Sequence, residues 1–115
     1  MTTTFDERER AFESRFAQEE ELRFRARARR NRLLATWAVE RMRLTGDAAS
    51  GYVTSFAEEA VVVDDEALLA RLQADLRVWG VEETLPDLRR EMERCIALVD
   101  AERRTGLALD QGASA

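Results

Sequence analysis

Side chains that do chemistry at neutral pH are most often His, Lys or Cys. The 115 residues contain no His, no Lys and one Cys, Cys95. All 18 basic residues are therefore Arg, whose guanidinium stays protonated and relays no proton. Imidazole bases, Schiff-base amines and mixed His/Cys metal sites are excluded at the outset. What remains are the neighbouring carboxylates Glu58/Glu59, Asp64/Asp65 and Glu82/Glu83. On a helix, adjacent residues point about 100° apart and do not converge on one substrate. The sequence thus predicts no catalytic residue, no metal site and no cofactor, and so no enzyme. The chemistry open to this chain is recognition by charges and rings.

The charges are unevenly placed. Residues 1–46 carry 11 Arg and 8 acids, while residues 47–115 carry 7 Arg and 15 acids, which together give the net charge of −5. Within the first part, residues 1–21 hold 7 acids and 3 Arg, and residues 23–32 hold 6 Arg and no acid. Such a stretch reads as a solvated helix face, as a dock for an acidic subunit, or as a partner for the chain's own acidic second half. An Arg patch for nucleic acid is the competing function. Against it stand the acidic total, the repelling Glu19-Glu20-Glu21 beside the patch, and the absence of a recognised nucleic-acid motif.

The elements that must position these groups are helical throughout, because apolar residues recur at three- and four-residue steps. A helix from Asp47 to Val63 offers Ala49, Tyr52, Val53, Phe56 and Ala60. A second, from Asp65 to Trp79, offers Leu68, Leu69, Leu72, Leu76 and Trp79, with Gly80 as its left-handed stop. A third follows Thr84, with Pro86 in its opening turn and Leu85, Leu88, Met92, Ile96 and Val99 on one stripe, and ends before Gly106. Cys95, Trp37, Tyr52 and Trp79 read as core residues. The lone Cys and an N-terminus without a basic and apolar leader suggest a reducing, cytoplasmic setting. No apolar run approaches the roughly 20 residues needed to span a bilayer.

Before Thr45-Gly46-Asp47, no Gly or Pro interrupts Phe5 to Leu44. One helix over this stretch would be about 60 Å long, roughly twice its neighbours. Phe5, Phe12 and Phe16 fall within about 40° of one line, which Arg23, Arg27 and Arg30 then occupy before Leu34 and Trp37. The Leu-Trp segment belongs to a bundle core; the Phe segment needs something else to cover it. Burying three Phe yields about 5–9 kcal/mol. Ordering some 20 residues costs about 1–2 kcal/mol each in backbone entropy before hydrogen bonding offsets it. The arm is therefore expected to be mobile or partly helical alone and to order on a partner. The alternative is a helix folded back with the Phe rings in its own core. The expected architecture is an all-α, up-and-down four-helix bundle with a long first helix, divided into a mobile N-terminal arm (1–22), a bundle (23–106) and a disordered tail (107–115).

The same residues carry a resemblance. Phe5–Ala17, Glu19-Glu20-Glu21, Ala28–Leu34 and Trp37-Ala38-Val39-Glu40 resemble the zeta inhibitor subunit of α-proteobacterial F-type ATP synthases, with likeness extending to about Thr105. Family Lys positions are Arg here, Ala35 stands where Gly is common, and Arg43 stands near another customary Gly. The resemblance implies a four-helix inhibitor of ATP hydrolysis. Its N-terminal helix would enter between a catalytic α/β subunit pair and the central γ shaft and block hydrolytic rotation. Carried over, the inhibitory segment is about Thr2–Gln18, with Phe5, Phe12 and Phe16 as anchors and Arg8, Glu9 and Glu13 as ion-pair partners; Arg23, Arg27 and Arg30 are further candidate contacts. The implied partners are the α, β and γ subunits of the catalytic head, with the protein cytoplasmic and peripheral to the inner membrane when bound. No nucleic-acid contact or membrane insertion is implied.

Overall fold

With nothing to break it, the first helix, α1, runs uninterrupted over Thr3–Met42. The computed structural model describes the backbone of residues 3–113 and the side chains of residues 4–106. Three further helices follow, α2 (Gly46–Glu59), α3 (Asp65–Val78) and α4 (Leu85–Ala113). The chain is an all-α four-helix bundle with a long first helix.

Each helix end has a local cause. α1 stops where the Leu44 N–H donates to the Val39 carbonyl at 2.9 Å and the Arg43 N–H to the Glu40 carbonyl at 3.2 Å. This paired closure needs a left-handed residue, and Arg43 supplies it at φ 62°, although Gly is the usual occupant. Replacing Arg43 with Gly is expected to stabilise the bundle by about 0.5–1 kcal/mol, the relieved Cβ strain outweighing the extra freedom of the unfolded chain. Thermal melting reads this as a rise of about 2–5 °C. α3 ends in the same way. The Gly80 N–H donates to the Arg77 carbonyl and the Val81 N–H to the Leu76 carbonyl, both at 2.9 Å, with Gly80 at φ 77°.

At the starts, Asp64 caps α3 by accepting from the Ala67 N–H at 2.8 Å, and Thr84 caps α4 by accepting from the Asp87 N–H at 3.2 Å. Two boundaries differ from the sequence reading. α2 ends at Glu59, because the β-branched run Val61-Val62-Val63 forms a turn ahead of the Asp64 cap. α4 continues past Gly106, which lies in ordinary helical backbone and only weakens the helix. The disordered tail expected over residues 107–115 falls outside the residues whose side chains are described.

The core is built from Leu34, Ala35, Ala38 and Met42 of α1, Phe56 and Ala60 around α2, Leu68, Leu69, Leu72 and Leu76 of α3, and Leu88, Met92 and Cys95 of α4. Contacts of Arg30 with Asp65, Arg41 with Glu83 and Arg29 with Glu102 fix the up-and-down order, with α3 parallel to α1 and α4 antiparallel. Three expected core positions are corrected. Trp79 is the C-terminal cap of α3 and lies 54 % exposed, because the closing turn carries it past the last buried row. Leu85 and Ile96 are also largely exposed; the buried stripe of α4 is Leu88, Met92, Cys95 and Val99. Tyr52 and Trp37 are half-buried, Tyr52 stacked on Phe56 with centroids 5.9 Å apart.

Only the C-terminal part of α1 is engaged. Residues 4–25 are exposed, so about 33 Å of rod projects beyond the bundle, and the molecule measures 67 × 35 × 28 Å. This overhang positions every candidate anchor.

Candidate partner-binding site

Phe5, Phe12 and Phe16 stand on one face of the overhanging rod with relative exposures of 71 %, 71 % and 57 %. None is folded back into the bundle. The backbone here belongs to the continuous helix α1, with the ion pairs of Glu20 with Arg23 and Glu21 with Arg25 at the base of the overhang. By helical rotation, Glu9 and Glu13 flank the ring line on one side and Arg8 on the other, and all three are exposed. Among the described residues, none of the three forms a salt bridge, so their charges face solvent. A narrow aromatic line edged by charges of both signs suits a protein groove. It suits a lipid surface less well, because that calls for a wider apolar face.

The Arg stretch behaves differently. Arg23 pairs with Glu20 at 3.0 Å and Arg25 with Glu21 at 2.6 Å, both within the exposed helix. Arg29 reaches Glu102 at 3.1 Å. Arg27 approaches Asp65 at 3.4 Å, and Arg30 holds the same carboxylate at 2.8 and 3.1 Å while also donating to Asn31. Arg30 is only 7 % exposed. Five of the six guanidiniums are thus matched to carboxylates. Three of these, Arg27, Arg29 and Arg30, meet the chain's own acidic half and two pair locally, which leaves little for a phosphate backbone. Arg23 and Arg27 stay accessible at the base of the arm, whereas Arg30 is built into the seam between α1 and α3.

Arg30, with help from Arg27, holds the Asp65 carboxyl below the usual carboxylate range. Near pH 4 the unfolded chain therefore binds a proton that the native chain does not, and acid favours unfolding. The contribution is whole above the ordinary Asp value of about 3.9 and fades as pH falls through the lower native value. Asp65→Asn is expected to lower the melting temperature at pH 7 and to flatten its decline between pH 4 and 2, as melts across that range would read.

Of the other candidate carboxylates, Glu58 is exposed and makes no ion pair among the described residues, and the rest are engaged. Glu59 pairs with Arg71, Glu82 with Arg77, Glu83 with Arg41, and Asp64 caps α3. Cys95 is fully buried, and burial pushes its thiol pKa up. Among the described residues no acidic or sulfur cluster could hold a metal, and no helix is long and apolar enough to cross a membrane.

Two features escaped the sequence reading. Leu22 and Phe24 are also exposed, at 48 % and 60 %, but they sit about 100° to either side of the Phe line, so no stripe announces them. Beside Phe24 opens a groove of about 780 Å³ between α1 and α2, running past Ala28, Asn31 and Val39 on one wall and Val53, Ala57 and Val61 on the other. It arises because small residues on both helices leave their facing surfaces underfilled.

Residues 1–102 match a family model described as ATPase inhibitor subunit zeta. No curated protein and no solved structure matches the chain.

Proposed function

The chain belongs to the ATPase inhibitor subunit zeta family, and from that premise we propose that its overhanging N-terminal helix is the inhibitory element of an ATP synthase, acting as a wedge and not as a catalyst. About Thr2–Gln18 enters between a catalytic α/β pair and the γ shaft. Phe5, Phe12 and Phe16 fill apolar positions there, while Arg8, Glu9 and Glu13 pair with charges at the rim. Residues 1–22 act as a mobile arm until the partner closes round them, and the bundle of residues 23–106 carries the arm and bars its complete passage. Arg23 and Arg27, at the base of the arm, meet the entrance of the site. Because the wedge fits one arrangement of the catalytic subunits, binding draws the enzyme into that arrangement and stalls hydrolysis. The protein associates peripherally with the complex, through the catalytic head.

One observation carries this reading: three exposed rings in line on a rod that extends about 33 Å past its own core. Its test is ATP hydrolysis by the cognate synthase titrated with the wild-type protein and with Phe12→Asp. The substitution removes a ring that binding would bury and puts a carboxylate to be desolvated in its place, at a cost of about 2–4 kcal/mol in binding. Inhibition should weaken by roughly 30- to 1,000-fold. The melting temperature should move by no more than about 2 °C, since Phe12 touches nothing in the bundle. Full inhibition by Phe12→Asp would overturn the wedge.

A further inference from the structure

We propose that Arg29 and Glu102, together with Arg27, Arg30 and Asp65, form a clamp that fixes the root of the arm, and that Arg29 is a positioning residue for the rings, not a contact to the partner. Residues 4–25 are all exposed, and among the described residues their ion pairs, Glu20 with Arg23 and Glu21 with Arg25, stay within α1. Residues 27–30 break that pattern. Arg27 and Arg30 reach the Asp65 carboxylate, in the first turn of α3, at 3.4 and 2.8 Å. Arg29 reaches α4 instead, where its Nε donates to Glu102 Oε2 at 3.2 Å and its Nη2 to Glu102 Oε1 at 3.1 Å. A guanidinium that meets both oxygens of one carboxylate fixes orientation as well as distance.

By helical rotation Arg27 and Arg30 stand about 60° apart, and Arg29 about 130° from their midpoint, so two different helices hold α1 from two sides. The side held by α3 continues the line of Phe5, Phe12 and Phe16, and its grip decides which way the rings look. The grip of α4 stops the rod from swinging or rolling away from it. Leverage makes this matter. Phe5 lies 22 residues from Arg27, about 33 Å along the rod, so about 10° of play at the root would move that ring by about 6 Å, more than one helical turn. Holding the root still leaves less freedom to be lost when the rings are bound. An ion pair between half-exposed groups adds little to global stability, so the clamp acts on local opening of the root and not on the melting of the bundle. Its importance for inhibition rests on the wedge reading above; the clamp itself does not.

The test compares the full chain with R29E, E102R and the swapped pair R29E/E102R. The α4 side is chosen because Asp65 is tied to Arg30 in the buried seam, and Arg27 is assigned above to the entrance of the synthase site. Each single change sets like charges against each other, and the swap restores opposite ones. In the free protein, the backbone amides of residues 22–29 should exchange with solvent at least about fivefold faster in either single variant and return to within about twofold of wild type in the swap. The melting temperature should stay within about 2 °C throughout. With the cognate synthase, the half-inhibitory concentration should rise about three- to tenfold in each single variant and recover in the swap. Unchanged exchange in both single variants would overturn the clamp. Inhibition that stays weak in the swap would overturn the positioning role, because Arg29 would then be touching the synthase itself. So would faster exchange with inhibition unaltered. A wild type that does not inhibit would overturn the wedge and the positioning role with it, while the exchange rates still decide the clamp.

Discussion

Removing residues 1–18 is expected to abolish inhibition of ATP hydrolysis while leaving the melting temperature within about 2 °C of the full chain. Every described residue of that segment is exposed, and the core begins about a dozen positions later, at Arg30 and Asn31. Deleting side chains that touch no core atom removes neither transfer free energy nor packing. The helical signal should fall by about the share of the deleted residues and the cooperative transition should stay where it was. Inhibition should vanish because all three rings and Arg8, Glu9 and Glu13 leave together. Preserved inhibition would move the inhibitory surface onto the bundle. A clear fall in melting temperature would mean that the arm folds back and that its rings are covered in the free molecule.

The fold was legible wherever one physical signal acted alone. Helix spacing in Leu68, Leu69, Leu72 and Leu76, the Gly80 stop, the Thr84 cap and the uninterrupted stretch after Phe5 all agreed with what local chemistry can decide. The errors arose where two signals competed. Cys95 and Ile96 are adjacent, and hydrophobicity favours the larger side chain, yet the bundle rotates α4 so that Cys95 faces inward and Ile96 faces solvent. Trp79 is the most apolar residue of its turn, but the closing geometry of α3 turns it outward.

At the candidate site, the ring line was legible because it is local. The destination of the Arg stretch was not, since Arg30 and Asp65 are 35 residues apart and nothing in either neighbourhood names the other. The same limit hid the groove. A cavity between α1 and α2 depends on which small residues face each other, and that pairing exists only once the bundle has formed.

Phe56→Ala should have the converse effect, a large loss of stability with inhibition retained. Phe56 is fully buried, stacks on Tyr52 and lies under the Arg71 guanidinium at 5.9 Å. Truncation removes a whole ring from a site lined by both α1 and α3 residues, and such changes cost about 3–5 kcal/mol. Domains of this size have about 5–15 kcal/mol in total. The melting temperature should therefore fall by roughly 10–20 °C. At a temperature well below the lowered transition the variant is still folded, α1 still projects its rings, and half-inhibition of hydrolysis should shift by less than about threefold. Because Phe12 and Phe56 share no neighbour, the double variant should show the sum of the two effects, with stability lost through one residue and affinity through the other. Parallel loss of inhibition in Phe56→Ala at that temperature would mean that the bundle itself, and not the arm alone, grips the synthase.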